Sequence, residues 1–305
     1  MTRLQANFLM LIAAAIWGST FVVQQLAMET MGPMTFTAAR FFLGTLVVLP
    51  LAWRELKKRK SVAQDTARYH LTPFDWAMMV GIGVVLCIGT VVQQIGIIHT
   101  TVTNAGFLTA LYVPLVPLLG LIFFRKRPHW VTWFAIACSL TGTFLISGMD
   151  SSFSLGYGDA LVVSSSVFWG LHVLLVGVLA AKTTMPLTLA AVQFAVCAFL
   201  ATLGGMLTET VSIAALLSTF WSIAYAGAVS VGLAFTLQVV GQSYTQPADA
   251  ALILSMETVF AALAGALFLQ ERIGSTEAIG CALILSAILM VEIIPQLLRR
   301  KLRFS

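Results

Sequence analysis

The sequence predicts an all-α membrane protein: ten transmembrane helices forming two inverted five-helix repeats, residues 1–148 and 149–305, the second ending in a short basic tail. Three observations predict it. The chain is too apolar for water, its apolar runs match the thickness of a bilayer, and its second half repeats its first. Of 305 residues, 59% are hydrophobic and 10% charged, with mean hydropathy +0.95. A soluble domain carries about 45–50% apolar and about 25% charged residues. A water-soluble fold of this size cannot hide that excess, because most of any protein's surface stays in contact with solvent. The solvent is therefore the lipid bilayer. The net charge of +5 is read by where it falls along the chain and not as a footprint for nucleic acid.

A spanning helix takes roughly 20 apolar residues. Runs of that kind predict spans at Asn7–Ala27, Met34–Trp53, Phe74–Ile98, Asn104–Phe124, Trp130–Gly148, Tyr157–Ala180, Leu187–Leu207, Phe220–Gly241, Ala248–Leu269 and Ser275–Ile294. The first follows directly on "MTRLQANF" and has no clear small-residue cleavage site, so it reads as a retained span. The connections are short, apart from "RELKKRKSVAQDTARYHLTP" after the second span. With the N-terminus inside, fifteen Lys and Arg fall on the inner side. Arg272 alone falls outside, and Arg40 lies within a span. That bias puts both termini in the cytoplasm, for a chain expected in the inner membrane. The tail "QLLRRKLRF" after Pro295 reads as a basic interfacial anchor. Cys87, Cys138, Cys197 and Cys281 sit singly in apolar runs, a pattern for buried hydrophobes and not for a metal site or disulfide framework.

At an offset of 145, "NAGFLTALYVPLVPLLGLIFF" from Asn104 meets "DAALILSMETVFAALAGALFL" from Asp249. Gly120 then pairs with Gly265, Tyr112 with Glu257, Gln93 with Gln238 and Gly96 with Gly241. Upstream the offset drifts to 152–153, pairing Trp17-Gly18 with Trp169-Gly170, Pro33 with Pro186 and Arg40 with Gln193. Five spans is an odd number, so the second copy enters the membrane from the opposite face. Two such halves can exchange conformations at little net energy, which alternately exposes a site between them near the midplane.

These residues carry a resemblance. "WGSTFVV" (17–23), "GPMTFTAARF" (32–41), "NAGFLTALYVPLVPLLG" (104–120), "GYGDALVVSSSVFWG" (156–170) and "METVFAALAGALFLQERI" (256–273), in this order, resemble the EamA family of the drug/metabolite transporter (DMT) superfamily over essentially the whole chain. The resemblance implies a DMT-type fold of ten helices with cytoplasmic ends. It implies a cavity mainly between helices 1, 3, 4, 6, 8 and 9, and export of small metabolites, amino acids among them, without ATP hydrolysis. Two departures stand out. Glu257-Thr258 replaces a Glu-Pro pair common in the family, so a bend is expected in helix 4 alone. "RKRPHW" replaces a Gly-Glu-Arg sequence after helix 4, so the end contact made by Glu271 is expected only in the second half.

An ionisable group near the bilayer centre costs about 2.5–3.5 kcal/mol on insertion scales, so each one calls for a reason. Glu257 lies within about 5 Å of the midplane at 1.5 Å per residue. It is expected either to bind a substrate amine or a coupling proton, or to hydrogen-bond helix 9 to a neighbour. Arg40 either meets a substrate carboxylate, snorkels outward, or binds backbone carbonyls near Gly32-Pro33. Trp17 and Trp169, deeper than an interfacial belt, fit aromatic walls for an organic solute, or helix packing beside Gly18 and Gly170. His172 is a candidate pH-responsive cavity residue or a packing histidine. Gln93 and Gln238 lead a polar set with Gln24, Gln94 and Asn104 that suits either a hydrogen-bonding lining or interhelical contacts. Tyr112 joins the candidates as the repeat partner of Glu257. Pro114 and Pro117 remove two backbone donors from helix 4, a bend with a gating or structural role.

The function read from this pattern is a secondary carrier, with a small solute and the bilayer as partners, proton coupling as its drive, and no cofactor or metal. No G-x-x-x-x-G-K-[ST] loop occurs to grip ATP. A channel would want a charged or carbonyl-lined filter, and an intramembrane enzyme a convergent catalytic set. Neither is legible, and these two, with a lipid scramblase, stand as the alternatives. Glycine-rich helices 5 and 10 are expected to pack together, either within one chain or between two copies as a homodimer.

Overall fold

The computed structural model describes residues 1–63, 71–100, 102–125, 127–146, 156–210, 212–268 and 274–301. Arg68, Lys126, Glu271 with its expected end contact, Arg272 and Arg303 lie outside these, as do the side chains of the basic tail after Pro295.

Among the described residues every regular element is helical. The first helix, α1 (Arg3–Met28), starts at a capping box in which Thr2 and Gln5 exchange side-chain and backbone bonds. Next come α2 (Pro33–Ala63) and α3 (Pro73–Ile98), the latter opened by a Thr72–Asp75 capping box and a proline in its first turn. The fourth apolar run divides into α4 (Val102–Thr109) and α5 (Tyr112–Phe124). Then follow α6 (Trp130–Ile146), α7 (Tyr157–Thr183), α8 (Pro186–Thr208) and the short α9 (Ile213–Ser218). The eighth run comprises α10 (Phe220–Ala224), a π-helical stretch (Tyr225–Phe235) and α11 (Thr236–Gln242). The ninth divides into α12 (Pro247–Leu254) and α13 (Met256–Phe268), and α14 (Ser275–Lys301) closes the chain. Among the described residues, eight helical stretches are long and apolar enough to cross a bilayer, and two shorter apolar helices, Trp130–Leu145 and Ala278–Val291, lie in the fifth and tenth runs.

Two expectations change. Helix α2 continues ten residues past Trp53, because "RELKKRK" consists of strong helix formers and Pro50 is accommodated inside it. Both the fourth and the ninth run are interrupted, not the fourth alone. Pro114 has no N–H to give Ala110, and the Ala110 carbonyl instead accepts from Val113 N at 3.0 Å. The second half reaches the same geometry without proline. There Thr258 N donates to Ser255 O at 3.1 Å, and the Ser255 hydroxyl bonds back to Leu252 O at 2.6 Å. A serine that bonds its own helix backbone bends it much as a proline does.

Helix α2 packs along α8, and α6 along α14 within the one chain. At the second contact a Cβ on Gly142 would meet the Gly280 carbonyl at 2.5 Å, so only glycine allows the approach. Helix α3 lies on α7 and α8, α1 on α13, α5 on α7, and the π-helical stretch on α1 and α2. Gly18 serves the α1–α13 contact, where a Cβ would fall 2.5 Å from that of Phe260. Large apolar side chains, among them Leu46, Trp53, Ile122, Phe134, Phe199 and Met206, point outward. This polarity is that of a bundle dissolved in lipid.

Candidate functional site

The two interruptions put side chains of the fourth and ninth runs into the middle of the bundle. Tyr112 is the first residue of α5 and Glu257 the second of α13. Both line a cavity whose wall also takes Trp17, Thr20, Phe21 and Gln24 from α1, Arg40 from α2 and Gln93 from α3. Thr109 of α4, Trp169 and Val173 of α7, Ser230 and Phe235 of the π-helical stretch, Gln238 of α11 and Leu254 of α12 complete it. The cavity has a volume of about 50 Å³. At roughly 10–15 Å³ for each water, that is room for a few water molecules.

Glu257 is 5% exposed. Its carboxyl makes no hydrogen bond to any described residue, and Oε1 is buried without a partner. The carboxyl therefore does not fasten helix 9 to a neighbour. It stands in the cavity wall with its bonding capacity unspent.

Arg40 neither snorkels nor reaches the backbone near Gly32-Pro33. It is 5% exposed, and Nη1 donates to Gln24 Oε1 at 2.6 Å. The guanidinium stands 5.2 Å from the Phe36 ring and 5.5 Å from Phe41. Its Nε is buried and unpartnered. The aromatic flanks hold the cation in place of the expected route to water.

The two amides differ. Gln93 Nε2 donates to Thr109 Oγ1 at 2.7 Å, tying α3 to α4. In the second half the position of Thr109 is taken by Leu254, which has no polar group to offer, and Gln238 Oε1 is buried without a partner. Trp17 Nε1 donates to Ser230 O at 3.4 Å, while Trp169 Nε1 is buried and unpartnered. Gln24 also accepts from Gln94 Nε2 through its backbone carbonyl, at 3.5 Å.

Of the residues singled out in the sequence, Trp17, Gln93, Tyr112, Trp169, Gln238, Glu257 and Arg40 come together in one wall. His172 does not join them. It is fully buried behind the wall, where its Nε2 pairs with Gln193 Oε1 at 2.8 Å. Pro114 and Pro117 also lie off the wall and act through the shape of the fourth run. Sequence reasoning missed Phe235. Its ring centre lies 4.6 Å from that of Trp17 and stacks at 6.0 Å on Trp169, with His172, Phe41 and Phe194 also within 6.2 Å. One more phenylalanine in an apolar run gives no signal by itself. Its repeat partner, Thr90, is off the wall, so the duplication gives no signal either.

The chain matches the profile of the EamA-like transporter family twice, over residues 4–148 and again over 156–293. It is 29% identical over 300 residues to an uncharacterized transporter of Archaeoglobus fulgidus, covering 95% of this chain and 87% of that one. Over 301 residues it is 26% identical to the uncharacterized transporter YwfM of Bacillus subtilis, covering 95% and 94%. A crystal structure of a protein 18% identical to it superposes with a TM-score of 0.75 over 97% of this chain and 99% of the other, a likeness of fold.

Proposed function

Because this chain belongs to the EamA-like transporter family, whose profile it matches over most of its length, we propose that it is a secondary carrier of the inner membrane. It exports small organic solutes, amino acids or related compounds, by alternating access between two inverted five-helix halves with both termini in the cytoplasm. One observation carries the reading. The cavity lies between the two halves of the sequence and takes repeat partners from each: Trp17 with Trp169, Gln93 with Gln238, Tyr112 with Glu257. A site built from symmetry-related residues at mid-depth is what an inverted-repeat carrier exposes by turns.

The packing supports the same symmetry. Helices α2 and α8 pair with each other, as do α6 and α14. The contact of α3 with α7 has its counterpart in α11 with α1, and that of α5 with α7 in α13 with α1. The two successive profile matches support the division near residue 148. Glu257, near the midplane and unbonded, suits a coupling proton or a substrate amine.

Counterflow in reconstituted vesicles tests the proposal. Unlabelled amino acid trapped inside is expected to accelerate uptake of the labelled one from outside. A channel or a scramblase shows no such acceleration, and that result would sink the carrier.

A further inference from the structure

We propose that Arg40 is the carboxylate-recognising residue of the cavity, so that the solute it accepts carries a carboxylate. The inference rests on the cavity being the solute site and adds the chemistry of one end of the ligand. Among the described residues, the bond from Nη1 to Gln24 is the one hydrogen bond that Arg40 makes, and no carboxylate lies within salt-bridge distance of it. Phe36 and Phe41 offer ring faces to the cation but no negative charge. A guanidinium that is 5% exposed and lines a cavity at this depth is thus held without a counter-charge.

The other half of the chain separates the structural part of Arg40 from the rest. Its repeat partner, Gln193, performs the same interhelical task with a neutral amide. Gln193 bonds His172 across α7 and α8 at 2.8 Å, as Arg40 bonds Gln24 across α1 and α2 at 2.6 Å. Fastening the two helices therefore needs no charge. Gln193 and His172 are fully buried off the cavity, whereas Arg40 and Gln24 are on its wall. The charge appears only where the pair faces the cavity. A guanidinium there presents a planar fork to a carboxylate, which two parallel N–H donors can grip. The aromatic rings of Trp17, Trp169 and Phe235 on the same wall give the apolar body of such a solute a place to lie.

Saturation-transfer NMR on the full chain in lipid nanodiscs tests this with benzoate and its uncharged isostere benzamide, the signal of empty nanodiscs being subtracted. Benzoate is expected to bind saturably and benzamide not. Arg40→Gln is expected to weaken benzoate binding roughly tenfold or more, and Arg40→Lys, which keeps the charge but loses the fork, by less. Equal binding of benzoate and benzamide to the wild type, no benzoate binding at all, or an Arg40→Gln variant that binds benzoate like the wild type would each overturn the assignment. Where Arg40→Gln does not fold, the wild-type comparison of the two probes decides alone. Binding is read here at equilibrium with no gradient. A chain that fails counterflow yet binds benzoate through Arg40 defeats the carrier reading and leaves this one standing.

Discussion

At the scale of single residues, the cavity wall includes polar groups whose bonding capacity the protein does not use. Glu257 Oε1, Gln238 Oε1, Trp169 Nε1 and Arg40 Nε are all buried without a partner, and each buried orphan of this kind costs about 1–3 kcal/mol. If Glu257 carries the coupling proton, Glu257→Gln abolishes uptake driven by a proton gradient while exchange of labelled for unlabelled solute continues; loss of both, or of neither, would refute the coupling role. Phe235 acts differently. Five rings lean on it, so Phe235→Ala is expected to cost about 3–5 kcal/mol, read as a lower unfolding temperature. An unchanged unfolding temperature would mean the rings are not packed as found. The charged, amide, tyrosine and tryptophan members of the wall were legible in the sequence because each is an anomaly in an apolar run, whereas Thr20, Thr109 and Ser230 were not, since a small hydroxyl in a helix bonds its own backbone readily and stands out little. Phe235 and Leu254 were not, because in such a run they are the expected residue.

At the scale of elements, two carboxylates join helices α2 and α8 at both ends. Glu55, near the C-terminal end of α2, accepts from Thr188 N at 2.7 Å, from the Thr188 hydroxyl at 2.7 Å and from Leu187 N at 3.3 Å at the start of α8. Glu209, just past α8, accepts from Met34 N and Thr35 N at 2.8 Å and from the Thr35 hydroxyl at 2.6 Å at the start of α2. Each satisfies otherwise unpaired N-terminal donors and places negative charge at the positive end of a helix dipole. Glu55→Ala and Glu209→Ala are each expected to destabilise by about 1 kcal/mol. The caps sit at opposite ends of long helices, so the double variant should show the sum of the two losses in thermal unfolding. A large excess over the sum would mean that the ends are coupled through a bundle motion. The sequence could not announce these caps, since each acid lies more than 130 positions from the donors it meets. Eight of the expected spans were legible because lipid imposes one length and one composition on a helix that crosses it, while among the described residues the fifth and tenth runs form shorter apolar helices. The interruption of the ninth run was not, because proline is a visible helix breaker and a serine bonding back to its own helix, as Ser255 does, is an invisible one.

At the scale of the whole molecule, ion pairs Arg3–Asp249 and Lys182–Asp75 are 3.0 Å and 2.7 Å long. Arg3 opens α1, Asp249 is in the first turn of α12, Lys182 in the last turn of α7 and Asp75 in the first turn of α3. The proposed topology brings all four to the cytoplasmic end, where Glu55 also caps α8. The other end has the Glu209 cap and hydroxyl bonds such as Thr30 with Thr219 at 2.7 Å. A bundle latched by charge at the cytoplasmic end favours the state closed there. With Lys182 56% and Arg3 36% exposed, each pair is worth about 0.2–1 kcal/mol. Removing both shifts a two-state balance toward cytoplasmic opening by a factor of about 2 to 30. The readout is the rate at which a membrane-impermeant thiol reagent, applied from the cytoplasmic face, modifies a Gln238→Cys variant, scored on that peptide by mass spectrometry. Adding Arg3→Gln and Lys182→Met to that variant is expected to raise the rate within that range; these two changes leave Asp75 in place to cap α3. High salt, which screens exposed pairs, should raise the rate with the latches present and leave it unchanged once they are gone. A rate that ignores both the substitutions and the salt would mean that the balance between the two states is set by packing at the cavity and not by charge at the rim.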